Sequence, residues 1–162
     1  MKANFKTNAT RLIERAGLTH QIHTYDHSDG RIDGLAIVEK LGQDPARVFK
    51  TLVTKGADGG FYVFVVPVAC ELDLKAAARA AGVKSVAMIA VKDINAVTGY
   101  IRGGCSPIGM KKVYPTVVDQ TAKQFDTITF SAGKIGYQIE MNPMDLAELI
   151  GCSFAPIAAK ES

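Results

Sequence analysis

The sequence predicts an α+β fold: a mixed, mostly antiparallel, barrel-like β-sheet with surrounding helices. Three observations carry that prediction. Residues 48–54 and 61–66 are apolar runs rich in valine and phenylalanine, and Gly56-Ala57-Asp58-Gly59-Gly60 between them reads as a hairpin connection. Other stretches place apolar residues at helical spacing and stop on glycine, as Phe5, Ala9, Leu12, Ile13 and Ala16 do before Gly17. Strands and helices then follow one another irregularly, without the strand–helix–strand rhythm of a doubly wound parallel sheet.

Taken in order, the first helix is followed by an alternating stretch over residues 21–26 that reads as a strand. Asp33 caps a second helix with Leu35, Val38 and Leu41 on one face, and Gly42 ends it. Asp44-Pro45 opens a short turn, an acceptor side chain followed by a residue that needs no amide partner. After the hairpin come an alanine-rich helix over residues 74–81 closed by Gly82, a strand over 85–88 and a short helix over 91–97. Residues 116–118, 127–130 and 137–141 read as strands, and Asn142-Pro143 caps a last helix over 144–150.

A chain of 162 residues, 48% hydrophobic and 22% charged, fits a single globular domain over residues 1–162. Its longest apolar run is too short to span a membrane and contains Pro67. Residues 1–6 lack the apolar core of a signal peptide. Cys70, Cys105 and Cys152, odd in number and far apart, fit free thiols in a reducing cytoplasm. The net charge of +3 is mild, but it is clustered. Lys2, Lys6, Arg11 and Arg15 face only Glu14, and Arg102, Lys111, Lys112, Lys123 and Lys134 face only Asp119 and Asp126. Such clusters either steer a polyanion or serve as solvated surface.

The stretch with most chemical character is Gly103-Gly104-Cys105-Ser106-Pro107-Ile108-Gly109, followed by Met110-Lys111-Lys112. Its glycines and proline exclude a helix or central strand and describe a loop of fixed shape, with Gly104 and Gly109 supplying unusual backbone angles. Lys50 lies mid-strand in one of the most apolar regions, so it is either a charge in use or an edge lysine. Thr51 points to the opposite face, so a regular strand would let only one of the two line a given cleft. Cys105 would be well displayed as a nucleophile, yet no nearby sequence supplies its base. His20, His23 and His27 have spacings that converge on a helix, not on the strand read here, so no metal site is expected. Gly109 is followed by Met110 where a phosphate loop needs Gly-Lys, and no dinucleotide fingerprint or Gly-x-Ser-x-Gly elbow occurs, so no cofactor or serine-hydrolase chemistry is expected.

Residues 21–25, Val48-Phe49-Lys50-Thr51-Leu52, residues 99–112 and Ser131-Ala132-Gly133-Lys134 together resemble the YbaK family, free-standing relatives of the prolyl-tRNA synthetase editing domain. The likeness runs in order over nearly the whole chain, and its most similar members are Cys-tRNA(Pro) deacylases. It implies that Lys50 is the essential side chain, holding the 3′ end of an aminoacyl-tRNA. It implies that Gly104, Cys105, Ser106, Pro107, Ile108 and Gly109 grip the aminoacyl ester through backbone groups, Cys105 itself being a packing residue. Tyr25, Thr51 and Ser131 match positions lining the same pocket. The reaction implied is attack by the thiol of the misattached cysteine on its own ester, with prolyl-tRNA synthetase as partner and no cofactor. An Ala-tRNA(Pro) deacylase using water and a non-catalytic tRNA- or synthetase-binding module are the rival readings. The sequence departs from close relatives at Gln138, where they carry an aspartate; Gln138 can donate and accept hydrogen bonds but cannot act as a base.

Overall fold

Helix boundaries fall where polar caps and glycines put them. The computed structural model describes residues 6–159. Among them are five α-helices: α1 (Asn8–Ala16), α2 (Gly34–Leu41), α3 (Leu74–Ala81), α4 (Ile94–Thr98) and α5 (Pro143–Ile150). Thr7, Asp33, Asp73 and Asn142 cap the starts of α1, α2, α3 and α5 with side-chain oxygens. Caps of this kind contribute about 1 kcal/mol each. Glycines with φ between 64° and 76° close the same four helices.

The strands are β1 (His20–Thr24), β2 (Phe49–Gly56), β3 (Phe61–Pro67), β4 (Glu71–Leu72), β5 (Val86–Met88), β6 (Thr116–Asp119), β7 (Ile128–Ser131), β8 (Tyr137–Met141), β9 (Ser153–Ala155) and β10 (Ala158–Ala159). One sheet has the order β1-β8-β7, a second β5-β2-β3-β6-β9, and β4 pairs with β10. All pairs are antiparallel except β3 with β6 and β6 with β9. The sheets meet at an isolated bridge between Val48 and Thr129. Among the described residues they curve around a common core without closing into a barrel.

Strand β3 explains why residues 61–66 lack alternation. Val63, Phe64, Val65 and Val66 are all fully buried because both faces of the strand are covered. Val65 joins Phe49, Val118, Phe130 and Ile139 in the core between the two sheets, which Ala9 and Ile13 of α1 and Leu146 of α5 complete. Phe64 and Val66 face the other way, onto Ala77 and Ala78 of α3 and Ile157.

Three sequence expectations change. The second helix buries Ala36, Ile37 and Val38, while Leu35 stands half exposed at the first turn. Residues 91–97 divide into a 3₁₀ turn (Val91–Asp93) and the short α4. The pairs formed by β4, β9 and β10 were not expected; segments of two or three residues carry no readable period. Phe5 and Lys2 lie outside the described residues.

Candidate active site

A cavity of about 530 Å³ opens where β2 has lost its neighbour. Strand β2 pairs with β3 along its length, but on its other edge the β5 segment hydrogen-bonds it from Val53 to Gly56, and the backbone of β7 bridges the chain at Val48, just before β2 begins. The intervening edge faces the cavity. The opposite wall comes from Phe130 and Ser131 of β7 and Tyr137 and Gln138 of β8, and the start of α2 forms a third side.

Tyr25, Lys50, Thr51, Cys105, Ser131 and Gln138 all border this space. Lys50 and Thr51 border it together, against the expectation that one strand face would exclude the other. The reason is the free edge: an unpaired strand exposes its margin, so residues pointing to either face reach the same opening. Gly104, Ser106, Pro107, Ile108 and Gly109 are not among the bordering residues. Ser106 and Ile108 are fully buried, and Pro107 and Gly109 line a separate space of about 190 Å³ beside α1 and α5. Ile108 is drawn into the inter-sheet core, and the Tyr100 hydroxyl donates to its carbonyl at 2.6 Å. The left-handed angle expected at Gly104 belongs instead to Gly103, with φ +87°, while Gly109 has φ +82°. Gly104 instead packs closely, since a Cβ there would come within 3.2 Å of the Ile135 amide nitrogen and the backbone would have to give by a few tenths of an ångström. The loop is therefore a plug that carries Arg102, Gly103 and Cys105 to the rim.

Sequence reasoning missed the segment 30–37. Gly30, Ile32, Asp33, Gly34 and Ile37 border the cavity. Lys40 tethers the preceding loop, donating to the Asp26 carbonyl at 2.7 Å, the Arg31 carbonyl at 2.8 Å and the Asp29 carboxylate at 2.8 Å. Gly34 lets the helix start lie against Val68; a Cβ would fall 2.5 Å from a Val68 methyl. A lysine 9 to 14 residues past its loop targets and a glycine at N1 were the only sequence signals for this wall.

The polar groups of the cavity divide into engaged and free ones. Asp33 is used as a helix cap, accepting from the Ala36 amide at 3.0 Å. The Ser131 hydroxyl accepts from the Gly133 amide at 3.2 Å. Gln138 accepts from Gln43 at 2.9 Å. The Thr51 hydroxyl is buried without a hydrogen-bond partner among the described residues. Lys50 has no ion-pair or hydrogen-bond partner among the described residues. Burial pushes the Cys105 thiol up to about 11, so near neutral pH it is a packed thiol, not a thiolate nucleophile.

The basic clusters are partly spent on the protein itself. Lys6 pairs with Glu14, and Lys111 donates to the Ala96 carbonyl at 3.1 Å. Lys123 and Lys134 stand over the rings of Phe154 and Tyr137. His23 meets Glu140 at 2.7 Å, in a neighbouring hollow outside the Lys50 cavity. Hydrogen bonds from Thr127 and then His23 hold the Glu140 carboxyl below the ordinary glutamate range.

A family model described as an aminoacyl-tRNA editing domain matches residues 35–149. The chain belongs to this editing-domain family. The match contains Lys50, Thr51, Cys105, Ser131 and Gln138, and Tyr25 precedes it. EbsC of Enterococcus faecalis, named as a candidate Cys-tRNA(Pro)/Cys-tRNA(Cys) deacylase, is 45% identical over 160 residues, 99% of this chain and 98% of its own. Bacillus subtilis YwhH, of uncharacterised function, is 26% identical over 110 residues, 68% of this chain and 69% of its own. Among solved structures, a hypothetical protein superposes with a TM-score of 0.86 at 22% identity, covering 94% of this chain and all 100% of that one. A candidate trans-editing enzyme for prolyl-tRNA synthetase superposes with a TM-score of 0.79 at 21% identity, covering 96% of this chain and 99% of that one. These two structures establish the editing-domain fold. No helix among the described residues of this editing domain is long and apolar enough to cross a membrane.

Proposed function

We propose that this editing domain, acting as one unit over residues 1–162, is a trans-editing deacylase that removes cysteine misattached to tRNA(Pro). The observation that carries this reading is the Lys50 ammonium, without a partner among the described residues, at the cavity on the free edge of β2. A cation there can hold the polyanionic 3′ end and favour negative charge developing on the ester oxygens. The bordering side chains include no imidazole, their one carboxylate caps a helix, and the Cys105 thiol is protonated. Such a wall has little with which to activate water. It suits a substrate that brings its own nucleophile: the cysteine sulfur bonds to the ester carbonyl carbon, and the ribose oxygen leaves with the thiol proton. Free tRNA and a thiolactone result. The protein's contribution is then orientation, worth roughly 7–11 kcal/mol of barrier at best. The 45% identical EbsC, named for the same class of substrate, adds support.

Deacylation of Cys-tRNA(Pro), S-blocked Cys-tRNA(Pro) and Ala-tRNA(Pro) tests this. Fast turnover of the first alone is expected. Equal turnover of the S-blocked substrate would sink the thiol-assisted step, and preferential loss of alanine would mean attack by water. We further propose that the domain works in the cytoplasm alongside prolyl-tRNA synthetase, because a net charge of +3 offers weak purchase on tRNA by itself. Added synthetase is expected to lower the KM for Cys-tRNA(Pro); an unchanged KM across a range of salt would count against the partnership.

A further inference from the structure

Gln138 borders the cavity from the middle strand of its sheet and is only 4% exposed. The side chain that holds it is Gln43, which follows the Gly42 cap of α2 and does not border the cavity. Gln43 Nε2 donates to Gln138 Oε1 at 2.9 Å. A primary amide has one acceptor oxygen and one donor nitrogen. With its oxygen engaged, Gln138 has its Nε2 hydrogens left to offer. Gln43 makes this bond while its own Oε1 stays buried without a partner among the described residues. A buried carbonyl left unpaired is unfavourable, so the Gln43 amide is poorly explained as packing and well explained by its donor end.

We infer that Gln43 is a positioning residue that locks the Gln138 carboxamide with its N–H₂ toward the cavity, making that wall a hydrogen-bond donor to the carbonyl oxygen of a bound aminoacyl ester. The inference rests on the deacylase reading above. A donor at this point favours the ester oxygen as charge builds on it. An acceptor or a carboxylate would instead attract the substrate's α-ammonium. The polarity of one amide, set by a side chain outside the cavity, therefore selects which end of the aminoacyl group this wall grips.

The lock can be reversed without altering the cavity lining. In Gln43→Glu the carboxylate can only accept, so Gln138 must turn its N–H₂ outward and present its oxygen to the cavity. In Gln43→Met the volume is kept and the bond is lost. Single-turnover deacylation of Cys-tRNA(Pro) is compared among wild type, both variants and Gln138→Met, alongside the side-chain amide NMR signals of Gln138, assigned by their loss in Gln138→Met. Gln43→Met is expected to slow the chemical step about 5- to 10-fold, the size of one hydrogen bond, with little change in KM. Gln43→Glu should slow it at least as much as Gln138→Met, and should shift the Gln138 amide signals. Wild-type rates in both Gln43 variants, or in Gln138→Met, would overturn the inference. An inactive wild type would sink the deacylase reading separately. The lock would then still be judged by whether Gln43→Glu moves the Gln138 signals, and unmoved signals would overturn it too.

Discussion

Replacing Lys50 by alanine is expected to lower kcat/KM for Cys-tRNA(Pro) about 10²–10³-fold, the usual effect of removing one preorganised group that stabilises developing charge. The expectation rests on the position of Lys50 on a strand edge that neither β5 nor β7 covers, and on its lack of any partner among the described residues. Because its ammonium holds nothing else in place, alanine breaks no ion pair and should leave the fold unchanged. Single-turnover deacylation with a parallel thermal melt makes the measurement. A loss below threefold with normal folding would remove Lys50 from the chemistry. If wild type and Lys50→Ala are equally inert while both still bind tRNA, the domain is a binding module. Lys50→Met separates charge from stem, since it keeps the apolar length and should be as slow as alanine.

The largest expected effect on stability lies outside the cavity lining. Asp119, at the end of β6, is 3% exposed. One carboxylate oxygen accepts from the Thr121 amide at 3.2 Å and its hydroxyl at 2.6 Å; the other accepts from the amides of Ile157 and Ala158, both at 3.0 Å. The same side chain therefore starts a 3₁₀ turn (Gln120–Gln124) and fastens the segment carrying β10 to the main sheet. Asp119→Ala leaves the buried Ile157 amide and its neighbours without acceptors. A loss of about 3 kcal/mol is expected, or roughly 6–12 °C in Tm for a chain of this size. Asp119→Asn, which keeps one acceptor oxygen, should lose less. Urea unfolding decides it: a change under about 0.5 kcal/mol in Asp119→Ala, within the range of ordinary surface substitutions, would show that the four bonds are dispensable.

The sequence made some features plain because their causes are local. The hairpin at residues 56–60, the caps at Asp33 and Asn142 and the glycine stops each depend on neighbours a few positions away. Lys50 stood out because a charge interrupts an apolar strand. The Gly/Pro loop was legible as a loop of fixed shape, but the residues it turns toward the cavity were not. That choice is made when Ile108 enters the inter-sheet core and Tyr100 grips its carbonyl, and loop composition does not encode the outcome. The wall from Gly30 to Ile37 was barely signalled for a similar reason, since Lys40 fixes the loop before it through two backbone carbonyls and one carboxylate. Gln43 gave no signal at all, its partner lying 95 positions further along.

The bridge between Val48 and Thr129 has a mechanical consequence. Among the described residues the two ladders share only that backbone bridge, and the rest of the join is the side-chain core in which Phe49 and Val65 pack with Phe130 and Ile139. The walls of the cavity thus belong to two rigid plates, one bearing Lys50 and the other Ser131 and Gln138. Their angle is fixed by close-packed side chains and not by ladder hydrogen bonds, so a change of volume in that core would be felt at the cavity. The height of each bordering group is set by its own ladder, and the gap between the two walls by the side chains packed beneath them.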